Sequence, residues 1–292
     1  MSMGEALRLP LSDDLRPLLM LLARLGVPSR VSEESGEQVL WVPEPLVGQV
    51  RDLYARQRAG ELADLPPEPL TIRSSRGAWR RSVRQAPLTL TVLLICLVVA
   101  VLTLMGTNLQ TVRWFTLLDF RVEGQYLVFS TLTQSLASGE WWRLFSSMFL
   151  HFWIPGLGPL HLLMNGLWYW ELGRRIEGRQ GALMLLVLSL LFSLVASLAQ
   201  HFFGGVGIAG GLSGVLYGLL GHCWLFQKLA PNPGYRLPRG LVGLMLGWLL
   251  LCLSGVFEAL VSIANAAHVG GLVAGCATGV IGGLLARRRQ SG

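Results

Sequence analysis

Gly210-Gly211-Leu212-Ser213-Gly214-Val215-Leu216-Tyr217-Gly218 stands within the longest uncharged run of the chain, Gln180 to Gln227. A hydroxyl flanked by glycines is unusual in so apolar a setting. Soluble hydrolases use Gly-x-Ser-x-Gly to lift a serine onto a sharp turn, where glycine leaves the hydroxyl uncrowded. The stretch here reads Gly-Leu-Ser-Gly, one residue short of that pattern, and a helical apolar run follows. Serine and glycine also line ordinary contacts between membrane helices. Chemistry at Ser213 therefore has to be argued from what the rest of the chain places beside it.

The 292 residues are 52% hydrophobic and only 14% charged, with a mean hydropathy of +0.52. Soluble domains carry about 25% charged residues, so the composition is that of a membrane protein. The net charge of +7 is almost wholly arginine, Lys228 being the only lysine. These arginines cluster beside apolar runs, which points to a lipid bilayer and away from nucleic acid as the partner. Cys96, Cys223, Cys252 and Cys276 each lie within an apolar run. With no Cys-x-x-Cys pair they suggest neither a disulfide framework nor a zinc knuckle. No metal or cofactor motif is present, so no cofactor is expected. The first long apolar run begins near Pro87, which argues against a cleavable signal peptide.

Residues 1–65 read as a small soluble α+β domain with the pattern α-β-β-α. Asp13 to Leu25 has Leu15, Leu18, Leu19, Leu22 and Leu25 on one helix face. Val27 to Glu33 and Gln38 to Val42 read as strands joined by the turn-like Glu34-Ser35-Gly36, and Glu44 to Arg58 as a second helix. Residues 66–86, with Pro66-Pro67-Glu68-Pro69 and the arginines from Arg73 to Arg84, form a basic linker. Residues 87–286 carry six candidate spans, judged against the roughly 20 apolar residues a crossing needs. They run from about Pro87 to Met105, Leu160 to Gly173, Ala182 to Phe202, Gly211 to Phe226, Leu241 to Gly255 and Ile263 to Leu285. Residues 287–292 are a basic tail. Between the first two spans, residues 107–159 mix aromatics with charges, as expected of a long interfacial loop with short helices.

Cytoplasmic flanks are expected to be basic, and the candidates alternate. Arg73 to Arg84 precede the first span, and Arg174, Arg175 and Arg179 follow the second. Lys228, Arg236 and Arg239 follow the fourth, and Arg287-Arg288-Arg289 end the sixth. Both termini are thus expected on the cytoplasmic side of a multi-pass protein. Spans two, four and six then enter from the outer face. His161 and Asn165 sit at the outer start of span two, and Ser213 at that of span four. His268 lies about 9 Å into span six at 1.5 Å per residue. Polar groups at one depth on three helices are a functional hypothesis by default. His161 and Asn165, like Ser213 and Tyr217, are four apart and share a face. Small-residue stripes at Gly210, Gly214 and Gly218, and at Ala267, Gly271, Gly275, Gly279 and Gly283, let two helices approach closely and bring His268 to Ser213.

A serine hydroxyl is a poor nucleophile until a base takes its proton, and a histidine does so near neutral pH. No Asp or Glu lies at that depth to complete a triad, so a Ser213–His268 dyad is expected. His161, Asn165 and the Ser213 amide suit an oxyanion hole. His151, His201 and His222 read as packing or interfacial residues.

Trp142-Arg143, His161-Leu162-Leu163-Met164-Asn165, Gly211-Leu212-Ser213-Gly214 with Tyr217, and Ala267-His268-Val269-Gly270-Gly271 with Gly275 follow one another in the order found in the rhomboid intramembrane serine proteases. The chain resembles the bacterial GlpG type of that family over about residues 87–286. The resemblance implies a six-transmembrane-helix rhomboid-like bundle, an all-α polytopic fold carrying a small cytoplasmic α+β domain, in the bacterial inner membrane. It implies Ser213 as nucleophile, His268 as base, and His161, Asn165 and the Ser213 amide as oxyanion donors. Tyr217, Gly211 and Gly214 would support them, and single-pass transmembrane proteins would be the substrates. Two features depart from the family pattern. Pro155 to Pro159 adds residues between His151 and His161, and Ala266 stands where glycine is frequent.

Other readings fit less well. A metalloprotease would want His-Glu-x-x-His, and an aspartyl protease two aspartates within spans; neither is present. A transporter would show paired halves with matching broken helices. A non-proteolytic rhomboid-like binding or quality-control factor is the alternative, and the intact Ser213 and His268 argue against it.

Overall fold

The structure, a computed structural model, describes residues 3–59, 83–231, 235–238, 240–257 and 262–291. Residues 66–82 of the expected linker 66–86, together with Arg239, lie outside them. The chain divides into two units, Met1–Ala78 and Trp79–Gly292.

In the first unit an antiparallel sheet is built from β1 (Met3–Pro10), β2 (Arg30–Glu34) and β3 (Glu37–Pro43) in the order β1-β3-β2. Helices α1 (Arg16–Arg24) and α2 (Val47–Arg58) complete it. Leu15, Leu18 and Leu22 of the first helical segment pack with Ala6, Leu40, Val42 and Val50 in one core. The sequence pattern α-β-β-α therefore lacks a strand. A register shift between Glu5 and Leu7 interrupts β1, so the strict alternation that announces a strand is broken there.

The second unit is helical around a long irregular segment. Its longer helices are α3 (Pro87–Leu102), α7 (Leu160–Gln180), α8 (Ala182–Phe203), α9 (Ser213–Leu229), α10 (Leu241–Leu253) and α11 (Asn265–Ser291). Of the described helices, Ala182–Phe203 and Asn265–Arg289 are long and apolar enough to cross a membrane, and α3 and α10 are shorter apolar helices. Helix α3 stops before Met105 because Leu104 and Met105 adopt left-handed φ of 48° and 53°. Helix α7 runs seven residues beyond the expected Gly173. Glu171 pairs there with Arg174 and Arg175 one turn on, so the charges stabilise the extra turns. Glu177 is buried and accepts from the Leu88 and Thr89 amides at 2.7 and 2.8 Å. It thereby caps α3, whose own N-cap position is Ala86 and supplies no side-chain acceptor.

The segment before α7 holds α4 (Leu109–Val112), a hairpin of β4 (Phe120–Glu123) and β5 (Tyr126–Phe129), α5 (Leu132–Ala137) and α6 (Arg143–Ser146). The hairpin was not expected from the sequence. Arg143 organises the segment. It is fully buried and donates to Glu140 at 2.8 Å, to the Thr116 carbonyl at 3.1 Å and to the Arg113 carbonyl. Arg113 in turn pairs with Asp119 at 2.7 Å and holds that carboxyl below the usual range.

Helices α9 and α11 meet backbone to backbone. A Cβ built on Gly271 would overlap the Gly214 carbonyl, and one on Gly275 the Gly218 carbonyl. One on Gly279 would lie 2.6 Å from the His222 carbonyl oxygen. Gly210, expected in the same stripe, lies before α9 and packs on Ser147 and Leu150 instead. Because the opposing atoms are backbone, they cannot rotate away. Gly275→Ala is expected to lower stability by about 1–3 kcal/mol through overpacking. Gly247→Ala, with open space around it, should change stability little; detergent-phase thermal unfolding of the two variants checks both.

Candidate active site

Ser213 opens α9, and the chain reaches it through Gly211 at φ 122°. L side chains rarely adopt that backbone, and a Cβ there would also stand 2.9 Å from Cε1 and Nε2 of His161. Glycine is required twice over: it makes the turn and lets the imidazole lie against the backbone beside Ser213. As first residue of its helix, Ser213 keeps an amide N–H with no intrahelical acceptor.

The close approach of α9 and α11 sets His268 opposite this turn. Its Nε2 lies 2.7 Å from Ser213 Oγ. With the hydroxyl donating, Nε2 is the acceptor and the neutral ring carries its proton on Nδ1. Nδ1 is buried and has no hydrogen-bond partner among the described residues, so none of them places a third group on that nitrogen. Tyr217, one turn along α9, packs its ring on the imidazole with centroids 5.1 Å apart. Its hydroxyl donates to the Met245 carbonyl of α10 at 3.0 Å. Gly214 admits Ala196 of α8 and the Ala267 carbonyl, both of which a Cβ would crowd.

His161 and Asn165 open α7. The Phe152 amide donates to His161 Nδ1 at 3.2 Å, so the neutral ring bears its hydrogen on Nε2, the nitrogen beside Gly211. Asn165 is buried, and its Nδ2 gives one hydrogen to the His161 carbonyl at 2.8 Å. The second hydrogen of that amide remains for another acceptor. His161, Asn165, Ser213, Tyr217 and His268 all line one cavity of about 810 Å³. Its apolar walls are Met164 and Trp168 of α7 and Leu244, Met245 and Trp248 of α10. All five polar or aromatic residues singled out in the sequence, with Gly211 and Gly214, thus meet at one place.

Two further residues stand at the site, one read from the sequence only as a packing or interfacial histidine and one not read at all. His151 is fully buried and packs its ring 5.1 Å from that of His161. Its only signal was a position ten residues upstream, across the Pro155–Pro159 turn. Gln200, near the end of α8, borders the cavity as well and carries no motif at all.

Comparison with known families matches residues 138–284 to the Rhomboid domain and residues 1–67 to the Rhomboid N-terminal domain. A protein named Rhomboid protease GlpG from Serratia proteamaculans is 33% identical over 269 residues, covering 86% of both chains. One of the same name from Yersinia pestis is 38% identical over 190 residues, covering 65% of this chain. The chain spans about 60% of the length of that Yersinia relative. Because Gly211 seats His161, Gly211→Ala is expected to slow labelling of Ser213 by a serine-directed fluorophosphonate about 10-fold or more, in line with the cost of small misplacements. Gly207→Ala, in the same connection but with open space around it, should label as the parent does.

Proposed function

The chain belongs to the rhomboid family, and from that premise we propose that it is an intramembrane serine endopeptidase cutting single-pass transmembrane proteins. The observation that carries the reading is the 2.7 Å contact of Ser213 Oγ with His268 Nε2 inside a cavity that also holds His161 and Asn165. Ser213 Oγ attacks the scissile carbonyl carbon while its proton passes to His268 Nε2. The oxyanion is received by His161 Nε2–H, the free Nδ2–H of Asn165 and the Ser213 amide. Collapse breaks the C–N bond, and the leaving amine takes the proton from His268. A water then attacks the acyl-enzyme, gives a proton to His268, and frees the carboxyl product as the proton returns to Ser213.

We read α3 and α7–α11 as six crossings, with residues 1–65 and both termini on the cytoplasmic side of a bacterial inner membrane. Hydropathy alone marks α8 and α11 most clearly. Helix α7 is less apolar because it carries Glu171, Arg174, Arg175, Glu177 and Arg179, all toward the end away from His161. The arginines at that end, with Lys228 at the end of α9 and Arg287–Arg289 at the end of α11, fit a positive cytoplasmic face. On this reading Ser213 sits at the start of a helix entered from the outer face, and the apolar cavity walls on α7 and α10 receive the substrate's helix.

Ser213→Ala is expected to abolish both fluorophosphonate labelling and cleavage of a model transmembrane substrate, with the fold retained. His268→Ala should do the same to cleavage. Turnover by either variant at the parent rate, read by gel in proteoliposomes, contradicts the assignment. Asn165→Ala is expected to lower kcat about 10²-fold, the cost of one oxyanion donor. An unchanged kcat would remove Asn165 from that role.

A further inference from the structure

We propose that Gln200 is a positioning residue for the base: it caps the first turn of α11 from the neighbouring helix α8 and so holds the His268 imidazole on Ser213. This inference rests on the serine-protease reading above.

Helix α11 opens Ala264-Asn265-Ala266-Ala267-His268, a start without serine, threonine or aspartate at the position that usually caps. The Asn265 side chain is turned elsewhere, its Nδ2 donating to the Cys252 carbonyl at 3.1 Å. Amides of a first helical turn have no acceptor within their own helix. The amide of Ala267, next to His268, finds one on another helix: it donates to Gln200 Oε1 at 3.2 Å. The amide of His268 itself donates to the Ala264 carbonyl at 3.2 Å, so one turn ties the cap to the base.

The Gln200 side chain lies directly over Gly204. A Cβ on Gly204 would overlap Gln200 Nε2 and lie 2.5 Å from Cδ. Gln200 borders the main cavity and also a small hollow of about 50 Å³ behind Ser213, lined in part by Ser147, Ser193 and Ser197. It thus stands beside the reacting pair while acting through Ala267.

The need for such a cap follows from the dyad. In a triad a carboxylate on the second ring nitrogen orients the imidazole. Here Nδ1 of His268 is buried without a partner among the described residues. The ring is oriented by the Tyr217 face and by the placement of the turn that bears it. Glu177 capping α3 from α7 is the same device elsewhere in the bundle.

The test uses the full chain in proteoliposomes, with kcat and KM for a model transmembrane substrate measured from about pH 5 to 9. Gln200→Met keeps length and removes the acceptor. Its kcat is expected to fall about 10- to 100-fold with KM within about twofold, since the loss is one of base geometry. Gln200→Glu keeps an acceptor for the Ala267 amide and should recover kcat to within about threefold on the alkaline side. Its added negative charge favours the imidazolium, so the acid limb of kcat moves to higher pH. A Met variant with the parent kcat overturns the proposal. So do Met and Glu variants equally impaired with no shift of the acid limb. Ser213→Ala in the same assay separates the two readings. Residual cleavage by it would defeat the protease assignment. Its inactivity beside a fully active Gln200→Met would defeat the role of Gln200 alone.

Discussion

The bundle depends on two helix backbones lying closer than side chains normally permit. Gly214 and Gly218 of α9 face Gly271 and Gly275 of α11 across contacts in which no Cβ fits. In lipid, association of helices gains little from the hydrophobic effect, and close packing of small residues supplies dispersion instead. The same contact sets the chemistry. Ser213 is the residue before Gly214, and His268 lies one turn before the paired glycines of α11. With the backbones locked in this register, an oxygen and a nitrogen from residues 55 apart meet at 2.7 Å. Packing and reactivity therefore have one cause, and a side chain added to the stripe would disturb both.

Around this axis the polar groups divide by what they are tied to. Glu177 and Arg143 are buried charges: Glu177 accepts hydrogen bonds from the start of α3, and Arg143 donates to Glu140 and to carbonyls of the loop before α7. An unpaired charge in such surroundings costs several kcal/mol, so these two fix their segments firmly. His161 and Asn165 are tied on one side and left with a donor on the other. A hydrogen-bond donor held in place and left free is what a developing oxyanion needs. His268 goes further: its Nδ1 has no hydrogen-bond partner among the described residues, and its orientation is transferred to the turn beneath it.

Sequence patterns reveal most where one residue type has one physical use. Glycine at four-residue spacing on apolar segments announces the α9–α11 contact. A serine and a histidine at matching depth announce the pair. Patterns fail where geometry is borrowed from another element. Strand β1 hides because a bulge after Glu5 breaks its alternation. Helix α7 runs past Gly173 because its charges are satisfied by one another and by α3, which a hydropathy reading counts against it. The hairpin of β4 and β5 sits among aromatics that read equally well as interfacial helix. Gln200 has no sequence signature, since a cap supplied from a different helix leaves no spacing to recognise.

The walls of the cavity differ in how they are held. On one side α8, α9 and α11 are interlocked through Ala196, Phe192 and Ala199, each of which fills the space over a glycine. On the other side α10 lends Leu244 and Trp248 to the cavity wall and leaves Leu250 and Leu251 as exposed apolar surface. Its polar ties to the rest include the Tyr217 hydroxyl on the Met245 carbonyl and the Asn265 amide on the Cys252 carbonyl. Both donors adjoin His268: Tyr217 packs on its ring, and Asn265 lies three residues before it on the same turn. On the proposed reading, a displacement of α10 that admits a substrate helix must stretch or carry those two bonds, and both end beside His268. The Gln200 cap enters the same turn from the opposite, rigid side. The first turn of α11 is thus held between a fixed helix and a loosely covered one, so an opening of the cavity at α10 need not unseat the imidazole.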